Sequence, residues 1–279
     1  MSDYIKQYAV KIDYKLGESW IILNEIEQSI KEKIEAVGTP LKDWNIKINR
    51  GILTGLNEAF IISKEKRDEL IKADPKSAKI IRPILRGRDI KKNSYEFANI
   101  YVITAYKGIN KIIKNEYPAI YLHLKKYEKK LRQRGQVDGK PGKPGSNQHH
   151  WTELDNNVSL EKLDDFSKPK ILFSEMVQNP QFYLDKYNYV VNDTVTFISG
   201  ENLDNLIKFL NSQIVFGVFK IFYAGGGLGE KGIRVKKTFL QDLPIPQVPL
   251  LAKNYDDIDK EIQSILALSN QEVDCLSEI

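Results

Sequence analysis

Two groups of side chains have residue types that catalysis could use. Asp164 and Asp165 lie close to Lys168, as acids and a lysine do in metal-dependent nucleases, but such a centre needs several converging oxygen ligands. No Asp followed at a strand's length by Glu-x-Lys supplies them. His149 and His150 would need a nucleophile or carboxylate partner to act as a general base. We therefore expect neither group to form a catalytic or metal site.

Residues 224–229 contain several glycines and could approach a phosphate closely. They lack the Lys-Ser/Thr of a nucleotide-binding P-loop, and they follow a helical pattern where such loops follow a strand. Two interpretations stay open. The segment is a helix C-cap and loop, or it presents main-chain donors to nucleic-acid phosphates together with the lysines and arginine behind it.

The tetrad Asn179-Pro180-Gln181-Phe182 is similar to the Asn-Pro-Pro-Tyr/Phe motif with which adenine methyltransferases hold the target amino group. Its third residue differs, and no glycine-rich cofactor loop with a downstream ribose-binding acid precedes it. The sequence therefore predicts a turn between two strands here, with no cofactor bound by this chain.

The composition is that of a folded protein, with 42% hydrophobic and 28% charged residues in a chain of 279. No apolar run approaches the roughly 20 residues that cross a bilayer, and no signal peptide is evident. We expect a cytoplasmic protein without membrane contact. Cys275 is the only cysteine and only three histidines are present, so neither an internal disulfide nor a Cys/His zinc site is expected.

Hydrophobic spacing indicates both helices and strands. Apolar residues recur three and four apart over residues 18–37, which predicts an amphipathic helix that Gly38 and Pro40 end. Further helices are expected at residues 64–73, 117–134, 203–223 and 256–270. Strands are expected at residues 45–49, 59–63, 97–104, 170–176, 181–185, 189–191 and 194–199, the last four as an antiparallel meander. Residues 244–249 are proline-rich and are interpreted as a linker.

Positive charge is concentrated in one stretch. Residues 107–150 carry eleven Lys and Arg against three Asp and Glu, a net +8 in a chain whose total is +5. The stretch leads into residues 135–146, where four glycines and two prolines exclude helix and central strand and predict an exposed loop. A charge run can be merely a solvated helix face, but beside such a loop it favours a phosphate-facing surface.

Ordered landmarks along the chain carry a family resemblance. They include residues 50–60 (Arg-Gly-Ile-Leu-Thr-Gly-Leu-Asn-Glu-Ala-Phe), Tyr117-Pro118, Trp151 with Leu154, and Leu243-Pro244-Ile245-Pro246. Together they resemble the target-recognition domain of bacterial restriction-modification proteins. In particular, they resemble the C-terminal specificity domain of TaqI-type adenine DNA methyltransferases and of fused methyltransferase-endonucleases.

The resemblance implies an α+β fold with a mixed or antiparallel sheet and flanking helices. It also implies three parts, namely an N-terminal helical segment (1–44), a DNA target-recognition domain (45–246) and a C-terminal linker and helix (247–279). Sequence-specific double-stranded DNA would be the partner. The chain itself would be non-catalytic and would deliver the target site to methyltransferase or endonuclease domains of a parent enzyme. That parent would use S-adenosylmethionine, and Mg²⁺ if it carries a nuclease.

The expected DNA contacts fall into two classes. Lysines would neutralise phosphates, and side chains with several donors or an amide would pair with base edges. The predicted set is Arg86, Arg88, Lys125, Lys126, Lys129, Lys130, Arg132, Arg134, Lys140, Lys143, Asn147, Gln148, His149, Lys236 and Lys237. Two alternatives remain open, an active methyltransferase or nuclease with unrecognised motifs and a protein-docking module built on the terminal helices.

Overall fold

The computed structural model describes residues 23–135, 137, 149–156, 158–224 and 232–277. Within them the fold is mixed α+β with several antiparallel pairings, as expected from the sequence. The α-helices are α1 Glu25–Val37, α2 Asn57–Phe60, α3 Lys64–Ala73, α4 Ile113–Glu116, α5 Pro118–Lys125, α6 Glu128–Arg132, α7 Leu160–Asp165, α8 Leu203–Leu210, α9 Gln213–Val218, α10 Lys237–Leu240, α11 Tyr255–Ile265 and α12 Asn270–Ser277.

Short 3₁₀ turns and one π-helix complete the helical elements. They span Leu41–Asp43, Pro75–Ile80, Gly87–Asp89, Ile109–Lys111 and, for the π-helix, Phe219–Tyr223. The strands are β1 Thr39–Pro40, β2 Ile46–Arg50, β3 Ile61–Ser63, β4 Ile81–Leu85, β5 Ile90–Lys91, β6 Ser94–Tyr95, β7 Ile100–Ile103, β8 Lys170–Ser174, β9 Met176–Val177, β10 Phe182–Asp185, β11 Val190–Val191, β12 Val195–Gly200, β13 Ile233–Arg234 and β14 Pro244–Ile245.

The first four-stranded sheet has the order β10-β8-β12-β2 and is antiparallel throughout. Side chains of β8, β10 and β12 alternate between two cores, so these three strands are largely buried on both faces. Ile171 and Phe173 point to a first core formed with α1, α8, α9, α11 and α12. Leu172, between them, points to a second core that joins this sheet to the other one.

The second four-stranded sheet has the order β11-β4-β7-β3, with β11 parallel to β4 and the other pairs antiparallel. The predicted meander was therefore wrong at β11. The chain leaves the first sheet after Asp185, pairs Val190 with Ile84, and returns to the first sheet at Val195. The alternation of buried and exposed residues along one strand does not specify the strand with which it pairs.

Three predicted helices are interrupted. The helix expected over residues 117–134 breaks at Lys126 and Tyr127, where the amides bond to carbonyls three residues back. The one expected over 203–223 breaks at Asn211, whose side chain bonds both backbone groups of Phe182, and Ser212 caps the next helix. The last one ends at Ile265, and Ala267 adopts a positive φ of 50° before α12. At each break a side chain or a turn makes a contact that apolar periodicity does not predict.

Residues 57–63 and 244–249 also depart from expectation. The strand predicted over 59–63 begins only at Ile61, because residues 57–60 form α2. The segment interpreted as a linker begins with buried β14, which pairs with β1. Residues from all three predicted parts share the first core, including Ile34, Ile198 and Ile262. The division at residues 44 and 246 stays a prediction, and it does not coincide with a separation of cores.

In the described part of the chain no single helix is long and apolar enough to cross a membrane. Helix α8 and the helical run 213–223 reach such a composition only together, and they are bent by 66° at their junction. Their apolar faces belong to the first core.

Candidate nucleic-acid interface

The ends of five strands meet at one edge of the two sheets, here called the strand-end edge. Strands β2, β4, β8 and β11 end there and β12 begins there, because β12 pairs antiparallel with β2 and β8 while β11 runs parallel to β4. A backbone hydrogen bond joins the sheets at this point, with Ile52, just after β2, donating to Val191 of β11 (2.8 Å). Asn192 donates to Leu85 (3.1 Å) and so extends the pairing of β11 with β4. The loops that leave this edge are consequently held at both ends by sheet structure.

Two glycines permit the close approach of these loops. A Cβ on Gly51 would lie 2.0 Å from the carbonyl oxygen of Asn192, so no larger residue fits without moving the backbone. A Cβ on Gly87 would lie 2.9 Å from Ser174 Oγ, and the Gly87 amide donates to Thr194 Oγ1 (2.9 Å). The turn that carries the predicted residues Arg86 and Arg88 is thus packed against the ends of β8 and β12.

Arg86 and Arg88 differ in availability. Arg86 donates from Nε and Nη2 to the two carboxylate oxygens of Asp89 (2.9 Å each), and this contact raises the pKa of its guanidinium. Arg88 is exposed at the tip of the 3₁₀ turn. Because bidentate pairing occupies the donors that a base would use, Arg88 is the better placed of the two for an external contact.

Lys236 and Lys237 reach the same edge through β13. This strand pairs with β9, and the amide of Val235 donates to the carbonyl oxygen of Glu175 just beyond β8. Lys237 is exposed, whereas Lys236 is half-buried with its Nζ 5.9 Å from the Phe239 ring. The structure therefore brings these lysines toward the turn of Arg88, a proximity that their distance in the sequence does not indicate.

The basic residues of α5 and α6 form a second group, here called the helical group. Lys125, Lys126 and Lys129 are exposed. Lys130 Nζ donates to Glu58 Oε1 of α2 (2.7 Å), which raises the pKa of the ammonium, and Arg132 pairs with Glu128 and lies 5.2 Å from the Trp151 ring. Residues 50–58 run from the strand-end edge to this group and so connect the two basic surfaces.

Two predicted contacts need correction, because Arg134 and His149 are buried. The Arg134 guanidinium donates to the carbonyl oxygens of Thr54 (2.9 Å), Trp151 (3.0 Å) and Glu153 (2.8 Å), and burial lowers its pKa to about 10. The His149 side chain is fully buried, with Nδ1 3.5 Å from Asp155 Oδ1. Neither can reach a base edge in this conformation. Arg134 instead joins the loop after β2 to the segment around Trp151.

The remaining predicted contacts are Lys140, Lys143, Asn147 and Gln148. They lie outside the described residues, as do residues 225–231 with their glycines. The interpretation of both segments stays a prediction. Trp151, at the start of the described segment that follows, is 3% exposed and belongs to the second core.

The Asn179 tetrad and the acidic pair, which resemble catalytic motifs in the sequence, make turn and surface contacts in the structure. Asn179 and Pro180 form a turn before β10, as expected. Asp165 accepts a hydrogen bond from Lys168 (2.9 Å) at the surface. Among the residues described, no group of three or more His, Cys, Asp or Glu side chains is placed to hold a metal ion.

Sequence reasoning missed one cation at the strand-end edge, Arg50. Arg50 ends β2 with its Nε donating to the carbonyl oxygen of Asp193 (2.8 Å) and its side chain 62% exposed. Arg50 begins the segment on which the family resemblance rests, which was the available signal.

The fold and this edge define the class of the protein as a mixed α+β domain that gathers basic loops where its strands end. The model of the TaqI-like C-terminal specificity domain matches residues 82–245, which is more than half of the chain. The chain belongs to this family.

Among solved structures, the chain is similar to the type IIL restriction-modification enzyme MmeI, determined in complex with DNA. The identity is 13% and the TM-score 0.59 over 85% of this chain, which spans 35% of that enzyme. The type IIG restriction endonuclease BpuSI is similar with 14% identity and a TM-score of 0.48. The match covers 91% of this chain and 32% of the BpuSI chain. No curated protein sequence matches the chain.

Proposed function

We propose that this chain is the sequence-specific double-stranded DNA recognition module of a restriction-modification adenine DNA methyltransferase or endonuclease. It delivers the target site to catalytic domains that this chain does not contain. Those domains are its protein partners, and S-adenosylmethionine, with Mg²⁺ for a nuclease, is the cofactor of the parent enzyme. The chain itself acts by binding.

The observation that supports this function is the set of exposed cations at the strand-end edge and in the helical group, which residues 50–58 connect. Arg50 is exposed at the end of β2, Arg88 in the 3₁₀ turn after β4, and Lys237 at the start of α10. The helical group adds Lys125, Lys126 and Lys129. Side chains held in defined positions can form hydrogen bonds to base edges, which requires fixed geometry. Exposed lysines can contact phosphates, and such contacts carry no sequence information.

Selection from a pool of random duplexes tests the sequence preference. The chain is incubated with the pool, and bound duplexes are recovered, amplified and sequenced over several rounds. We expect one short site to be enriched. Recovery of salt-sensitive binding without any enriched site would contradict a specificity role while leaving DNA binding intact.

Salt titration tests the phosphate contacts. The affinity for DNA should fall with salt, with a slope of about −0.9 per neutralised phosphate in log K against log salt. The double variant Lys126→Ala/Lys130→Ala should weaken binding to enriched and random duplexes alike and flatten the slope. Lys42→Ala/Lys260→Ala is the matched control, since these lysines lie beside the first core and pair with Asp242 and Asp257. An equal loss in both double variants would contradict the assignment of the helical group.

A further inference from the structure

Leu53 is an apolar residue exposed on the segment that connects the two basic surfaces. It is 37% exposed, whereas its neighbours Ile52 and Thr54 are 0% and 3% exposed. This alternation is that of extended backbone, in which successive side chains point to opposite sides. The Leu53 side chain is therefore turned toward the surface. A single exposed leucine is common on proteins, so the argument depends on how this one is held and on what surrounds it.

The backbone just before Leu53 is fixed by both sheets. The Ile52 amide donates to the carbonyl oxygen of Val191 (2.8 Å), and Ile52 pairs in parallel register with Asn192. Gly51 leaves no space for adjustment, since even a Cβ there would lie 2.0 Å from the Asn192 carbonyl oxygen. The chain consequently reaches Leu53 from a position that cannot shift without disturbing the sheet junction.

The backbone just after Leu53 is fixed by the buried Arg134. Its guanidinium donates from Nη1 to the carbonyl oxygen of Thr54 (2.9 Å) and from Nη2 to that of Trp151 (3.0 Å). The Thr54 hydroxyl in turn donates to Asn57 Oδ1 (2.6 Å). Leu53 is thus presented at a defined position, which is what contact with one particular base requires.

Cations lie on both sides of Leu53 along this segment. Arg50, with 62% of its side chain exposed, is three residues earlier, so the two Cα atoms are at most about 11 Å apart. Lys130 of the helical group pairs with Glu58 at the other end of the segment (2.7 Å). An apolar side chain gains nothing from the phosphates that such cations attract. The apolar group that DNA offers in the major groove is the 5-methyl group of thymine.

We propose that Leu53 contacts the 5-methyl group of one thymine in the recognised DNA site and so makes the chain prefer thymine at that position. The inference rests on the proposed DNA-recognition function, which it deepens by assigning one specificity-determining residue and its base. Apolar side chains can also insert between base pairs. Insertion requires a side chain that projects from the surface, whereas Leu53, at 37% exposure, suits a contact at the surface.

Replacing thymine by uracil tests the contact, because it removes the methyl group alone. The replacement is made at each A·T pair of the enriched site in turn. At one position the wild-type affinity should fall about three- to fivefold, the effect of one buried methyl-sized group. Leu53→Ala should bind the thymine and uracil duplexes equally there. Leu53→Met keeps an apolar contact and should still prefer thymine.

Leu251→Ala is the matched control. Leu251 is 83% exposed and lies beside α8, which follows the end of β12 that is farther from the strand-end edge. This variant should keep the wild-type preference for thymine. Both alanine variants should keep the wild-type melting temperature, since neither side chain belongs to the cores of the described residues. A lower melting temperature in Leu53→Ala with an unchanged preference for thymine would assign Leu53 a structural role and overturn the inference.

The remaining outcomes separate the inference from the proposed function. An enriched site without an A·T pair, or one in which no uracil replacement weakens binding, overturns the thymine contact and leaves DNA recognition standing. If Leu53→Ala weakens binding to the thymine and uracil duplexes by the same factor at every position, Leu53 inserts or contacts the DNA backbone, and the methyl contact is likewise overturned. Failure of the chain to enrich any duplex contradicts the proposed function itself.

Discussion

Lys170 and Asp185 form an ion pair inside the protein, with both side chains fully buried and 2.6 Å between Nζ and Oδ2. Burial lowers the pKa of Lys170, and the charge of Asp185 opposes that effect. Asp185 also accepts hydrogen bonds from the amides of Tyr187 and Tyr189. The carboxylate therefore fixes the turn that carries the chain from the first sheet to the second.

Asp185→Ala should destabilise the fold by about 3–5 kcal/mol, because it leaves a buried ammonium without its counterion. The free energy of unfolding in urea measures this loss. Asp204→Ala is the control, since its pair with Lys186 lies close by in the same part of the fold but is exposed, and it should cost less than about 1 kcal/mol. Equal losses in the two variants would show that the buried pair has no special role.

Glu272 connects the first and last described helices. Burial alone would raise the pKa of its carboxyl group, but hydrogen bonds from Lys33, the Ser269 amide and Ser29 together lower it to about 2. An unfolded carboxyl group titrates near 4.5. The charge of Glu272 therefore stabilises the fold above about pH 4.5, and this contribution is lost as the pH falls from 4.5 through 2.

Glu272→Gln should lower the melting temperature at pH 7 and should have a much smaller effect at pH 2, where the native carboxyl group is about half protonated and most of the stability from its charge has been lost. Thermal unfolding followed by circular dichroism at both pH values measures the difference. Glu32→Gln, at an exposed position of α1, should change neither value. A loss at pH 2 as large as that at pH 7 would attribute the effect to shape rather than to charge.

At the scale of elements, the segment between Val137 and His149 is framed by buried structure. These two residues pair in parallel register, and both are buried in the second core or beside it. Arg134 joins the incoming end to the carbonyl oxygens of Trp151 and Glu153 beyond the outgoing end. None of these contacts involves residues 138–148.

Replacing residues 139–148 by a glycine-serine linker of equal length should preserve the melting temperature and remove the discrimination between enriched and random duplexes. Equal length is needed because two residues in parallel register cannot be joined by a tight turn. Trp151→Ala should do the opposite, lowering stability by about 3–5 kcal/mol as a cavity forms. A linker variant that unfolds much earlier, or that keeps its preference, would contradict the proposed recognition loop.

At the scale of the whole molecule, we predict that the chain alone does not bind S-adenosylmethionine. The sequence lacks a strand-borne glycine loop with a downstream acidic partner, and the Asn179 tetrad forms the turn before β10 and the first residue of that strand. Isothermal titration calorimetry at micromolar cofactor measures this directly. Stoichiometric heat of binding would favour the alternative of a methyltransferase with unrecognised motifs.

The sequence by itself determined the elements whose signals are local. Helix α3 has the predicted bounds, and β2, β8, β10 and β12 lie within a residue or two of expectation, because apolar spacing and capping residues act over a few positions. The α+β class and the family could also be predicted, from landmarks such as Trp151 with Leu154. The residue composition and the order of the landmarks along the chain were sufficient for these predictions.

Only the tertiary structure decided strand pairing and the environment of each charge. Lys130 and Arg134 are both cations at the end of one basic run, yet one is exposed and the other is buried among backbone carbonyl groups. The Arg134 guanidinium reaches the carbonyl oxygen of Thr54, which lies 80 residues earlier in the chain. The burial of a charged side chain and its distance from other charges depend on such long-range contacts. Periodicity along the chain indicates only on which face of its helix or strand a residue lies.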